Sequence, residues 1–236
     1  MTTTALTETI IRFCEENGSE EQLIKSQRFF KHAFHGYGIK APVLHAQVKE
    51  WSKNAEINID VILETLESAM KRGMYEEIAS ALLMLFARKK HFTADTFAKL
   101  DALLDEGIDN WAHADILGMW ILPVFLTKNI VPISAFEPWL QASNSYKRRC
   151  VPVTLIKLVK TSKKAEPFIY FPEILMQDKV REVHQGMGWF LREAWKLDPI
   201  SVETFLQKWK HTAPRLIFQY ACEKMTVTHK KKFKKN

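Results

Sequence analysis

Four side chains in this sequence have the types and spacing of a site that handles positive charge and phosphate: Trp111, Asp115, Arg149 and Trp189. Trp111 and Asp115 lie four apart in Asn110-Trp111-Ala112-His113-Ala114-Asp115. A helix through them sets the indole and the carboxylate on one face, one turn apart. A fixed carboxylate stabilises cationic charge that develops on a reacting group, an indole face attracts a cation, and the planar fork of a guanidinium matches a phosphate. Each residue also has a plainer use. An Asp near a helix start complements the helix dipole, tryptophans at helical spacing fill cores, and Arg149 within a basic run is a solvated cation.

The elements that would position these residues are helices, and they repeat. Segments with an apolar stripe begin near Gly73, Asp109, Asn144, Asp178 and Thr212, at separations of 36, 35, 34 and 34 residues. Another amphipathic stretch precedes each one: Ile59–Lys71, Thr93–Asp105, Ile133–Ala142, Phe168–Met176 and Ile200–Lys210. Two helices per period is the unit of a HEAT-like repeat. In 178–197, Val180, Val183, Met187, Phe190 and Ala194 recur at steps of three and four, which puts them along one side of a helix. A helix pair cannot bury that side alone, so the pairs stack into an all-α solenoid (an alpha-alpha superhelix) whose second helices line a concave surface. Further helices over 4–16, 20–34 and 43–53 read as atypical capping repeats. Arg149 is five residues into its inner helix and Asp115 six into the preceding one, so both stand at nearly the same height, with Trp189 eleven residues into the next. Convergence on one concave groove follows. Pro123 and Pro152 each fall inside an expected helix and should bend it. Gly186 and Gly188, which flank Met187, point to close helix approach or to ligand access.

Composition sets the outer bounds. The chain of 236 residues has eight glycines, too few for a hairpin-rich β fold, and no linker-like stretch. The expected organisation is one HEAT-like domain over 1–228 with a basic tail at 229–236. The net charge is +7, of which Lys230, Lys231, Lys232, Lys234 and Lys235 supply five. Elsewhere, positive charge concentrates at 143–165, where Lys147, Arg148, Arg149, Lys157, Lys160, Lys163 and Lys164 occur without an acidic residue. Such a run suits a polyanion. Cys14, Cys150 and Cys222 are odd in number and far apart, so neither a disulfide framework nor a zinc spacing is read. His32 with His35, and Asp109 with His113, lack third and fourth ligands nearby. No metal and no cofactor are expected. Trp51, Trp120, Trp139, Trp195 and Trp209 are expected in the core. With no signal core and no apolar run of spanning length, the expected location is cytoplasmic, with no membrane partner.

The segments 109–118, 144–155 and 185–197, above all Gly188-Trp189-Phe190-Leu191-Arg192-Glu193, resemble the AlkD-like DNA alkylation repair glycosylases, and the repeat spacing matches along nearly the whole chain. The resemblance implies that Trp111, Asp115, Arg149 and Trp189 line a lesion site. Phe29, in Arg28-Phe29-Phe30-Lys31, takes the place where the family often has Tyr, and Ala112 the place of a common acidic residue. The resemblance further implies a monofunctional glycosylase acting on cationic N3- or N7-alkylated purines in double-stranded DNA, as a monomer and without flipping the base into a pocket. Asp115, Trp111 and Trp189 would be catalytic, while Arg149, Arg148, Lys147 and Phe29 would bind DNA. An alkylated purine departs neutral, so little acid catalysis is required, and the carboxylate has the sugar's developing charge to stabilise and a water to orient. Two other readings stay open: a noncatalytic protein for damaged or branched DNA on the same scaffold, and a protein-interaction scaffold.

Overall fold

The computed structural model describes residues 1–30 and 34–233. Lys31 and His32 after Phe30, and Lys234 and Lys235 of the expected tail, lie outside them. Among the described residues every regular element is helical, and none is long and apolar enough to cross a membrane. The chain forms two compact units, Met1–Ile116 and Leu117–Asn236.

The first unit is built around α5 (Tyr75–Ala87). Residues 76–85 of α5 are all buried, the signature of a helix enclosed on every side. It packs on α4 (Ile59–Arg72), with α1 (Thr3–Asn17) and α3 (Ala41–Trp51) alongside, α6 (Ala94–Gly107) on α4, and α7 (Trp111–Ile116) on α5. The ends follow from local chemistry. Thr2, Asn58 and Thr93 accept backbone N–H groups in the first turns of α1, α4 and α6, which satisfies otherwise orphaned donors. Gly73 closes α4 in the left-handed region at φ 69°, so the expected start of the next helix slips two residues to Tyr75. The short helix α2 (Glu20–Gln27) stops well before residue 34, where the sequence pattern had it end.

In the second unit α9 (Ser145–Ser162), α11 (Arg181–Trp195) and α13 (Arg215–Ala221) are the second helices of successive repeats, starting 36 and 34 residues apart. The period read from sequence is present in space: α11 packs along α9 on one side and α13 on the other. Val183, Met187, Phe190 and Ala194 are fully buried there, with Val180 packed at the edge. Of the expected first helices, α12 (Pro199–Trp209) forms as such. The stretches 133–142 and 168–176 do not become long α-helices. They are 3-10 turns at Ile133–Phe136, Pro138–Gln141 and Glu173–Gln177, and the one-turn α10 (Glu166–Ile169). Pro138 and Pro172 explain this, since each lacks an N–H and its ring crowds the carbonyl four residues back.

Proline also shapes the start of this unit. A π-helical turn at Leu117–Ile121 precedes α8 (Leu122–Thr127), in which Pro123 is buried near the N-terminus. The wide turn moves the carbonyl that the Pro123 ring would strike. Pro152 is accommodated inside α9. Trp120 departs from expectation: it is 38% exposed, whereas Trp139 is buried and Trp195 and Trp209 pack on the core. The basic end starts as helix α14 (Val227–Lys231), after which Phe233 is buried and its carbonyl accepts from Arg215 Nη1 at 2.9 Å.

Candidate functional site

Trp111 and Asp115 both lie on α7, one turn apart and each partly buried. The helix begins where Asn110 Oδ1 accepts the backbone N–H of His113 at 3.0 Å, an N-cap that places Trp111 at the first helical position. That bond fixes the Asn110 amide, so its Nδ2 must donate to His113 Nδ1 at 2.8 Å. The imidazole proton is therefore on Nε2, which donates to the Tyr75 carbonyl oxygen at 3.0 Å. His113 is fully buried and stacks on the Tyr75 ring at 4.7 Å. Burial pushes its pKa down to about 4, against smaller opposing effects of the Tyr75 carbonyl and Asp109. A neutral histidine thus ties the start of α7 to the start of α5. Both ring nitrogens are occupied by this work.

The segment after α2 reaches the same helix. Trp111 Nε1 donates to the Phe29 carbonyl oxygen at 3.4 Å, and Phe30 stacks on the Trp111 indole, ring centroids 5.3 Å apart and 18° from parallel. Phe30 in turn stacks on Phe34 at 4.2 Å, which leans on Tyr75. Phe29 itself is 74% exposed. Two buried carboxylates at the start of α5 hold the following loop. Glu76 accepts the backbone N–H groups of Tyr37, Gly38 and Ile39 at 2.8, 2.9 and 3.0 Å, and Glu77 accepts from the Tyr37 hydroxyl and Arg72 Nε, each at 2.7 Å. Gly38, at φ 75°, lies so close to Ser19 that a Cβ would stand 2.2 Å from its carbonyl oxygen. Rigid backing of one indole face is the result.

Sequence reasoning assigned none of Phe30, Tyr75, Glu76 and Glu77. The doubled Phe and doubled Glu were visible, but that Phe30 stacks on Trp111 and that both Glu76 and Glu77 hold the loop at Tyr37 depends on partners about 40 to 80 residues away.

In the second unit the three adjacent cations diverge in use. Lys147 is buried with its ammonium over the Trp139 ring, 5.0 Å from the centroid. Arg148 grips Asp178 through Nε at 2.7 Å and Nη2 at 3.2 Å, and its Nη1 donates to the Ala142 and Ser143 carbonyls. Arg149 is buried against α11 and donates from Nη1 to the Glu182 carbonyl oxygen at 2.7 Å. Successive residues on a helix turn by about 100°, so a run of three cations cannot share one face. Trp189, one turn beyond Gly186 on α11, is partly buried at the edge of the core. The two glycines serve packing: a Cβ at Gly188 would sit 2.5 Å from Tyr220 Cβ, and one at Gly186 3.0 Å from Arg149 Cγ.

This architecture has a counterpart among known proteins. A family model of DNA alkylation repair enzymes matches residues 11–225, and the chain belongs to that family. No curated protein matches it. Among solved structures it is similar to a protein described as a predicted DNA alkylation repair enzyme from Enterococcus faecalis, with a TM-score of 0.77 and 15% identity over 89% of this chain and 98% of that one. At that identity the likeness is one of fold, an all-α helical-repeat fold.

Proposed function

We propose that the protein is a monofunctional DNA glycosylase that hydrolyses the N-glycosidic bond of cationic N3- and N7-alkylated purines in duplex DNA. The observation that carries this reading is the pairing of Trp111 with Asp115 on a single helical turn, fixed by the Asn110–His113–Tyr75 chain of hydrogen bonds, in a member of a DNA alkylation repair family. A carboxylate on a rigid turn undergoes little reorganisation as charge develops, and this is where electrostatic catalysis gains most. Asp115 faces the sugar as positive charge grows on it and orients the attacking water. Trp111 offers its one remaining indole face to that charge, and Trp189 is the second indole. Arg149 takes a backbone phosphate beside the lesion and the exposed Phe29 is a further contact of the DNA, whereas Lys147 over Trp139 and Arg148 on Asp178 are committed within the protein. The cationic base departs neutral without a protein acid, so no deep base pocket is required. The protein works as a monomer on the nucleoid.

Duplex DNA containing 7-methylguanine tests the reading through the rate of free-base release. Release by the wild type is expected, with Asp115→Asn lowering the rate by about 100- to 1,000-fold, the scale of losing one electrostatic stabiliser. Duplex binding without release would favour the noncatalytic reading. Release at an unchanged rate by Asp115→Asn would remove the carboxylate from the mechanism.

A further inference from the structure

The second helices of the second unit, α9, α11 and α13, run parallel. Between α9 and α11, Arg149 meets Gly186 near the N-terminal ends, and Lys160 meets Glu193 near the C-terminal ends. Between α11 and α13, Gly188 meets Tyr220 and Arg192 pairs with Glu223. Their C-terminal ends therefore lie along one edge of the unit, and that edge is basic beyond what its own acids need. Glu193 is shared by Lys160, Arg192 and Lys196, and Glu223 by Arg192 and Lys224. Lys157, Lys163 and Lys164 are exposed beside them and have no ion-pair partner among the described residues. Seven cations thus stand against four carboxylates, since Glu166 is exposed two residues beyond Lys164 and Asp198 accepts the Ala165 backbone N–H at 3.1 Å.

Two features separate this edge from an ordinary solvated helix end. The dipole at the C-terminus of α9 is already complemented by Lys160 in its last turn, so the three unpaired lysines exceed that requirement. Lys163 also occupies the left-handed C-cap at φ 60°, a conformation that a side chain disfavours and glycine accepts freely. Ser162 Oγ bonds both the Lys164 N–H and its carbonyl, which holds the Lys163–Lys164 pair in one presentation. A lysine sits where glycine would fold better.

We infer that this edge, centred on Lys157, Lys163 and Lys164, is a second phosphate-binding surface that takes the backbone of duplex DNA away from the lesion. The inference rests on the DNA-binding reading above. Lys160 is eleven residues beyond Arg149 on the same helix, about 16 Å at the helical rise, which corresponds to about five phosphates of one strand. The edge therefore extends the footprint along the duplex, and its contribution is independent of sequence and of damage.

The test is duplex binding as a function of salt with an undamaged and a 7-methylguanine duplex, using wild type, Lys157→Glu/Lys163→Glu/Lys164→Glu and Lys163→Gly. Removing three phosphate contacts is expected to make the slope of log K against log salt shallower by about 3, and to weaken binding to both duplexes by about tenfold or more at moderate salt. Lys163→Gly is expected to raise the melting temperature while weakening DNA binding, a pairing that a merely structural lysine would not produce. If the wild type binds duplex with a steep salt slope and both variants match it, the surface is refuted and the DNA reading stands. If the wild type shows no salt-dependent duplex binding, both fail. Binding to phosphatidylserine vesicles in preference to duplex would likewise overturn the assignment.

Discussion

Between about pH 6.5 and 4, one buried imidazole is expected to dominate the weakening of this protein by acid. His113 is fully buried with its pKa pushed down from 6.5 to about 4, so the folded state favours the neutral ring. For a depressed group of this kind the stabilisation is complete above the unfolded value, shrinks as the pH falls below 6.5, and is gone near 4. A shift of that size corresponds to about 3 kcal/mol, and full burial leaves no solvent screening to reduce it. Protonation has a definite structural target. Nδ1 would become a donor facing the Asn110 amide nitrogen, itself a donor, so the N-cap of the helix that carries Trp111 and Asp115 would be lost. Urea unfolding of wild type and His113→Gln at several pH values between about 7 and 4 isolates the effect, because every other titrating group is common to both. The stability difference should change by about 3 kcal/mol over that window. The His113 C2–H resonance, identified by its absence from the variant, should not titrate until the pH nears 4. A midpoint at 6 or above, or a stability difference independent of pH, would refute the buried-neutral assignment.

Three further outcomes follow from the packing. Gly188→Ala should lower stability by roughly 1–3 kcal/mol, because its Cβ would meet Tyr220 Cβ and the Ile217 carbonyl. Gly186→Ala should cost less, since its nearest neighbour is the flexible Arg149 stem; thermal melts of the two rank them. Glu76→Gln replaces an acceptor of three backbone N–H groups with one oxygen and a donor, so roughly 2–3 kcal/mol should be lost. Hydrogen exchange should rise first at residues 37–39. Arg148→Ala strands the nearly buried Asp178 carboxylate and should destabilise the second unit by about 3 kcal/mol, readable in denaturant unfolding without any DNA present.

Much of this was legible along the chain because helices carry their own local signals. The apolar stripe from Val183 to Ala194 states which side of α11 is buried, the starts read at Thr93 and Asn144 fall on the N-caps of α6 and α9, and the four-residue step from Trp111 to Asp115 places them on one turn. Even the meaning of Gly186 and Gly188 was narrowed to close approach or ligand access. These are interactions within about five residues, so the sequence contains both partners side by side.

The remainder was decided in three dimensions. Lys147, Arg148 and Arg149 read as one basic run, yet helical rotation sends each to a different partner, one of them thirty residues away on Asp178. Phe29 and Phe30 are interchangeable by composition, but only Phe30 lies on the Trp111 indole. His113 looked like a weak metal candidate until Tyr75 and Asn110 occupied both of its nitrogens. By itself the sequence determined the second helices of the repeats, their period and the single turn that joins Trp111 to Asp115. Tertiary structure decided which charges are spent inside the protein, because that depends on the burial and hydrogen-bond partners that distant segments bring.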